Sequence, residues 1–114
     1  MRTRLPRVAI AMIGACTVFS AAEAQVPAIA GAGSRTCAQM DVDISDLPNV
    51  RRAYVSWMQG YLSGRNAARE VAGQSLVDLA DFEAQWEWIV EWCGSRPQSA
   101  FAEGVDALFA KLAE

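Results

Sequence analysis

Apolar positions in the second half of the chain recur every three to four residues. Val50, Tyr54, Trp57, Tyr61, Gly64 and Ala68 fall on one stripe and predict a helix starting near Leu47 to Asn49. Asp46 is its candidate N-cap, Pro48 suits its first turn, and Gly73 is its expected stop. A second helix runs from about Asp78 or Asp81 to Cys93, with Leu79, Phe82, Trp86, Ile89, Val90 and Cys93 as its apolar stripe. Gly94 ends it and Pro97 opens a third, whose inner face is Phe101, Val105, Leu108, Phe109 and Leu112. No stretch alternates with period two, so no sheet is expected. The fold class predicted is all-α: a small bundle of three helices, or four with a short extra turn, stapled by one disulfide. Residues 37–114 form this domain. The Ala/Gly-rich stretch 25–36 reads as a flexible tail, and Asp41 to Pro48 as an irregular acidic lead-in. Gly60 and Gly64, four apart, predict close helix–helix contact. A phosphate loop would need another glycine pattern and a following lysine.

The N-terminus is patterned differently. Arg2, Arg4 and Arg7 precede an uncharged run from Val8 to Ala22, and Ala22-Glu23-Ala24 follows. This is the order of a secretory signal peptide over residues 1–24, with the mature chain starting at Gln25 and a periplasmic destination. A retained membrane anchor is the alternative, although the run is shorter than a spanning helix needs. Ile13-Gly14-Ala15-Cys16 is also close to a lipoprotein box, in which Cys16 carries the lipid and tethers the protein to a membrane. Cys37 and Cys93 survive cleavage. In an oxidising compartment an even pair reads as a disulfide; two free buried thiols are the alternative. Closing a loop of about 55 residues is worth about 4 kcal/mol in the chain-entropy model.

Composition narrows the function. The chain has 114 residues, a formal charge of −3 and no histidine. One domain fits, and a large enzyme fold does not. The commonest general base and zinc ligand are missing. With one lysine, Lys111, and both mature cysteines bonded, no catalytic constellation or cofactor site is expected. Asp41, Asp43 and Asp46 invite a calcium reading, but an EF-hand loop counted from Asp41 puts Asp46 and Arg52 where Gly and Glu belong, so no metal is expected. Residues 25–114 hold seven basic and twelve acidic side chains, a formal −5. The acidic excess lies beyond residue 70, and nothing resembles a nucleic-acid footprint.

Two features remain for function. Trp88 and Trp92 sit four apart, roughly opposite the stripe of the second helix; either a loop covers them, or they anchor a homodimer or a client. Arg51, Arg65 and Arg69 lie along one edge of the first helix, and Glu83, Glu87 and Glu91 along one edge of the second. Antiparallel helices would pair these edges as pH-responsive ion pairs; otherwise they are solvated faces.

Cys37, the helix with Trp57 and Gly60-Tyr61, then Glu91-Trp92-Cys93-Gly94-Ser95-Arg96-Pro97-Gln98 and a final amphipathic helix resemble the HdeA/HdeB group of small periplasmic acid-stress chaperones. The resemblance covers most of residues 37–114. It implies a small helical protein with one disulfide, dimeric near neutral pH, that loosens in acid and exposes apolar surface to unfolding clients. Only Cys37 and Cys93 carry over residue by residue. The charge pattern offers a physical route to the same behaviour. Glutamates paired with arginines would have folded pKa values below the unfolded ones, so their stabilisation would fade in acid and uncover Trp88 and Trp92 below about pH 4. The rival reading is a dedicated protein-binding module, such as a periplasmic immunity protein or inhibitor, with the two tryptophans as fixed anchors.

Overall fold

The computed structural model describes residues 28–114, together with Ala11, Gly14 and Ala15. The expected signal segment, its cleavage site and the lipidation candidate Cys16 lie outside the described residues. Among the described residues four helices follow one another: α1 (Cys37–Asp46), α2 (Arg51–Val71), α3 (Phe82–Gly94) and α4 (Phe101–Leu112). Short 3-10 turns at Gly31–Ser34 and Pro48–Val50 precede α1 and α2. None of the described helices is long and apolar enough to cross a membrane.

The acidic stretch expected to be irregular is mostly helix α1. Its start is set by a capping box: Thr36 Oγ1 accepts from the Gln39 N–H at 3.1 Å, and Gln39 Oε1 accepts from the Thr36 N–H at 2.9 Å. Asp46 is the last residue of α1 and caps nothing downstream. Pro48 opens the 3-10 turn that leads into α2. Gly73 stops α2 as expected. It adopts φ +69°, its N–H reaches the Glu70 carbonyl, and the Gln74 N–H reaches the Arg69 carbonyl, a Schellman closure. Asp81 caps α3 by accepting from the Ala84 N–H at 3.0 Å. Pro97 does not open the last helix; a turn over residues 97–99 intervenes, and α4 begins at Phe101.

The core centres on Phe101, which is fully buried. Its ring meets Tyr54 edge-on at 5.1 Å, Trp57 at 5.8 Å and Trp86 at 6.3 Å. α2 contributes Tyr54, Met58 and Leu62 as its buried residues. The expected stripe is therefore rotated. Met58 and Leu62, which lie outside that stripe, are central, while Gly60, Gly64 and Ala68 face solvent. Gly60 and Gly64 make no close contact: nothing lies within 4 Å of where a Cβ would stand. On α3, Trp86, Ile89 and Cys93 point inward, but Phe82 and Val90 are 42% and 44% exposed. All five positions expected on the inner face of α4 pack in the core or against it.

Cys37 and Cys93 form a disulfide that joins the first turn of α1 to the last of α3. Backbone bonds continue the join. The Cys37 N–H reaches the Ser99 carbonyl at 2.8 Å, the Ala38 N–H reaches Pro97, and the Phe101 N–H reaches Arg35 at 2.7 Å. The stretch expected to be a flexible tail is thus fastened from about Ala30 onward to the start of α4 and, through Gly33, to Trp57.

Candidate functional site

Two places collect the side chains with chemistry. The first is an N-terminal clasp. The turn Gly31–Ser34 lies on the Trp57 indole so closely that a Cβ on Gly33 would stand 2.0 Å from Trp57 Cζ2. Trp57 donates Nε1–H to the Ala30 carbonyl at 3.0 Å and stacks on Tyr61 at 5.0 Å. Next to the turn, Arg35 grips Asp43 of α1 with two hydrogen bonds, Nε to Oδ2 at 3.0 Å and Nη2 to Oδ1 at 2.8 Å. The Tyr54 hydroxyl, from α2, donates to Asp43 Oδ2 at 2.5 Å. One carboxylate therefore ties the N-terminal segment, α1 and α2 together. The Arg35 guanidinium first, and the Tyr54 hydroxyl second, hold the Asp43 carboxyl below the ordinary carboxylate range. The Asp43 hydrogen bond in turn raises the pKa of Arg35. Burial, with the bond to Asp43 second, pushes the Tyr54 phenol up to about 12. Asp43 is committed to this ion pair, and among the described residues no group of three or more metal-ligating side chains is placed to hold a metal ion.

The second place surrounds Trp88. Trp88 and Trp92 are both half-buried and pack against the core rather than standing free. Gly104 of α4 makes room for Trp92: a Cβ there would meet the indole at 2.9 Å. Arg96 covers that indole, with its guanidinium carbon 4.6 Å from the ring centre. Trp88 lines a cleft of about 500 Å³ between the start of α3 and the end of α4, floored in part by Gln85, Leu108 and Leu112.

The expected pairing of basic and acidic edges is realised once. Arg51 Nη2 meets Glu83 Oε2 at 2.8 Å, in solvent. Arg65 instead bonds Asp106 of α4 and lies over Phe109, 4.8 Å from the ring centre, and Arg69 donates Nε–H to the Ser75 carbonyl at 2.6 Å. Glu87 and Glu91 are exposed, with no ion pair among the described residues. The cause is the connection 72–81. Asn66 holds Val77 by two hydrogen bonds, and Arg51 reaches Glu83, so the chain returns along α2 and sets the first turn of α3 beside the first turn of α2. Antiparallel edges never form. Tyr61 also bonds Asp106, at 2.8 Å. Burial first, and that bond second, raise its phenol pKa.

Sequence reasoning missed Arg35, Tyr54, Asn66 and Gln85. Thr36-x-x-Gln39 was a legible signal that the ordered chain starts before Cys37, and with it that Asp43 stands on a helix. The partners of Asn66 and Gln85 depend on a loop path that no periodicity encodes. Comparison with known proteins finds no matching family model, no matching curated protein and no matching solved structure.

Proposed function

We propose that this chain is a non-enzymatic, exported protein-binding domain of the chaperone type, released by acid to hold unfolding proteins. The observation that carries the reading is the Arg35–Asp43–Tyr54 clasp, fastened over a covered aromatic face. Asp43 has a folded pKa below its unfolded value, so its stabilisation is fully present above the unfolded value, near pH 4. It is lost as pH falls through the lower folded value. Protonation removes the charge that Arg35 grips, the turn 31–34 lifts, and Trp57 and Tyr61 become available to apolar client segments. The acid trigger thus moves from the glutamates of α3 to Asp43, and the client surface from Trp88 and Trp92 to Trp57 and Tyr61. Export, the periplasmic setting, a neutral-pH homodimer and the HdeA/HdeB likeness belong to the same proposal.

The test is a titration of the oxidised chain from pH 7 to pH 2, following tryptophan fluorescence, sedimentation and the light scattering of an acid-labile client. Wild type should loosen reversibly and suppress client aggregation at low pH. Asp43→Asn should already be loosened at pH 7 and show a flattened acid response. An Asp43→Asn chain with the wild-type midpoint and amplitude would remove the clasp from the mechanism. A wild-type chain unchanged down to pH 2 would sink the chaperone reading, and a pull-down at pH 7 would then seek one folded partner.

A further inference from the structure

The cleft at Trp88 carries a separate inference. Asp81, Gln85 and Trp88 stand at positions i, i+4 and i+7 of the α3 start, on one face, and all three line the cleft. Gln85 is 4% exposed and is the one buried amide side chain among the described residues. Its Oε1 has no hydrogen-bond partner there. A buried acceptor without a donor is uncommon in folded proteins and marks the place of a missing partner. The rim is acidic. Asp78 and Asp81 each accept a backbone N–H, of Ala80 and Ala84, on one carboxylate oxygen, and each has a second oxygen. Lys111, across the cleft, is paired with Glu114 at 3.2 Å.

The aromatic residues point to the same chemistry. Arginines lie over Trp86, Phe109 and Trp92, and Trp57 has its stack on Tyr61. Trp88 alone of the four tryptophans has neither a cation nor a ring partner among the described residues. A flat apolar wall, an acidic rim and an unfilled acceptor together fit a ligand with an apolar body and a cationic N–H donor. The positive end of the α3 dipole, about half a charge, opposes a cation here, but two full carboxylates outweigh it.

We propose that this cleft binds a small apolar amine. Its body lies on Trp88, Leu108 and Leu112, and its ammonium donates to Asp81 and, once the Gln85 side chain turns toward the cleft, to Gln85 Oε1. The test uses the oxidised chain at pH 7 and octylamine as probe. It is read by the Trp88 indole N–H signal in NMR, assigned by its disappearance in Trp88→Phe. Octylamine should shift that signal saturably below about 10 mM, and octanoate, with the same body and the opposite charge, should not. Gln85→Leu should weaken octylamine about tenfold or more, the loss of a charge-assisted hydrogen bond. Asp81→Asn, which keeps the helix cap, should weaken it as well. Equal binding of octanoate, octylamine binding unchanged in both variants, or no saturable shift would each overturn the proposal. A response to Nα-acetyl-lysine amide, whose side-chain ammonium is free, at lower concentration than to octylamine would also overturn it, in favour of a lysine side chain from a protein.

Discussion

Gly33→Ala is the sharpest test of the N-terminal clasp. Gly33 is buried and does not adopt positive φ, so alanine meets no backbone penalty and the whole effect is steric. The new Cβ would stand 2.0 Å from Trp57 Cζ2 and 2.4 Å from Cη2. Carbon atoms in contact sit about 3.5 Å or more apart, so ring or turn must give way by about 1.5 Å. The ring is held on three sides, by Tyr61 at 5.0 Å, by Phe101 at 5.8 Å and by its bond to Ala30 at 3.0 Å. The turn is anchored at its far end, where the Arg35 carbonyl accepts from Phe101 at 2.7 Å. Overpacking of this kind costs about 1–3 kcal/mol. The stiffer unfolded chain returns about 0.4–1 kcal/mol. A net loss of about 1–2 kcal/mol lowers Tm by about 5–15 °C for a domain of this size. Differential scanning calorimetry of the oxidised chain at pH 7 measures it. Trp57→Phe lacks the atoms that clash, so in that background the added methyl should cost little, and the double-mutant cycle isolates the contact. A Gly33→Ala chain melting within about 2 °C of wild type would refute the packing of the turn on Trp57.

Three further outcomes follow from named contacts. Tyr54 holds its proton more tightly folded, at about 12, than unfolded, and the Tyr61 pKa is raised as well. Their contribution is therefore complete below about pH 10 and lost as pH rises through the folded values. Ultraviolet titration should show Tyr54 ionising near pH 12 and Tyr61 above its ordinary range, and ionisation of both tyrosines in one step near pH 10 would refute both contacts. Asn66→Ala strips Val77 of both backbone partners, at 2.8 and 2.9 Å, and should cost about 2 kcal/mol by urea unfolding. A loss under about 0.5 kcal/mol would mean that the 72–81 connection does not depend on Asn66. Reduction of Cys37–Cys93, which spans a sequence separation of 56, should cost about 4 kcal/mol. Equal urea midpoints with and without reductant would show that the staple constrains nothing.

What the sequence made legible is what local rules control. Helical periodicity located the long helices because each presents an apolar stripe. Gly73 and Asp81 marked ends because a left-handed residue and a short carboxylate serve distinct backbone groups there. Cys37 and Cys93 paired as the compartment argument required. The failures share a different cause. The stripe on α2 was read through Trp57 and Tyr61, yet large aromatics can lie at the margin of a core whose centre is Met58 and Leu62. Gly60 and Gly64 looked like a packing motif, but nothing approaches them. The glycines that do permit close approach, Gly33 and Gly104, stand apart from any repeat, each under one tryptophan. Such pairings are set by tertiary geometry alone. The ion pairs failed likewise, because the path of residues 72–81 decides which ends of α2 and α3 meet.

In the proposed acid form, the same geometry limits how far the molecule opens. The clasp and the disulfide sit at opposite sides of Thr36: Arg35 grips Asp43 on one side, and Cys37 is bonded to Cys93 on the other. Protonating Asp43 removes the first tie and leaves the second, which has no proton to gain. Loosening therefore starts at residues 30–35 and stops at the staple, with α1 still fastened to the end of α3. The Arg35 carbonyl remains bonded to Phe101, so the segment hinges rather than detaches. A chain opened in this way exposes Trp57 and Tyr61 while Phe101, Ile89 and Leu108 stay enclosed, and it can close again when the carboxylate recovers its charge. Reduction should abolish that boundary. The reduced chain in acid should lose helix content by circular dichroism, whereas the oxidised chain should keep most of it while its tryptophan fluorescence changes. Parallel loss of helix and fluorescence in the oxidised chain would refute a bounded opening.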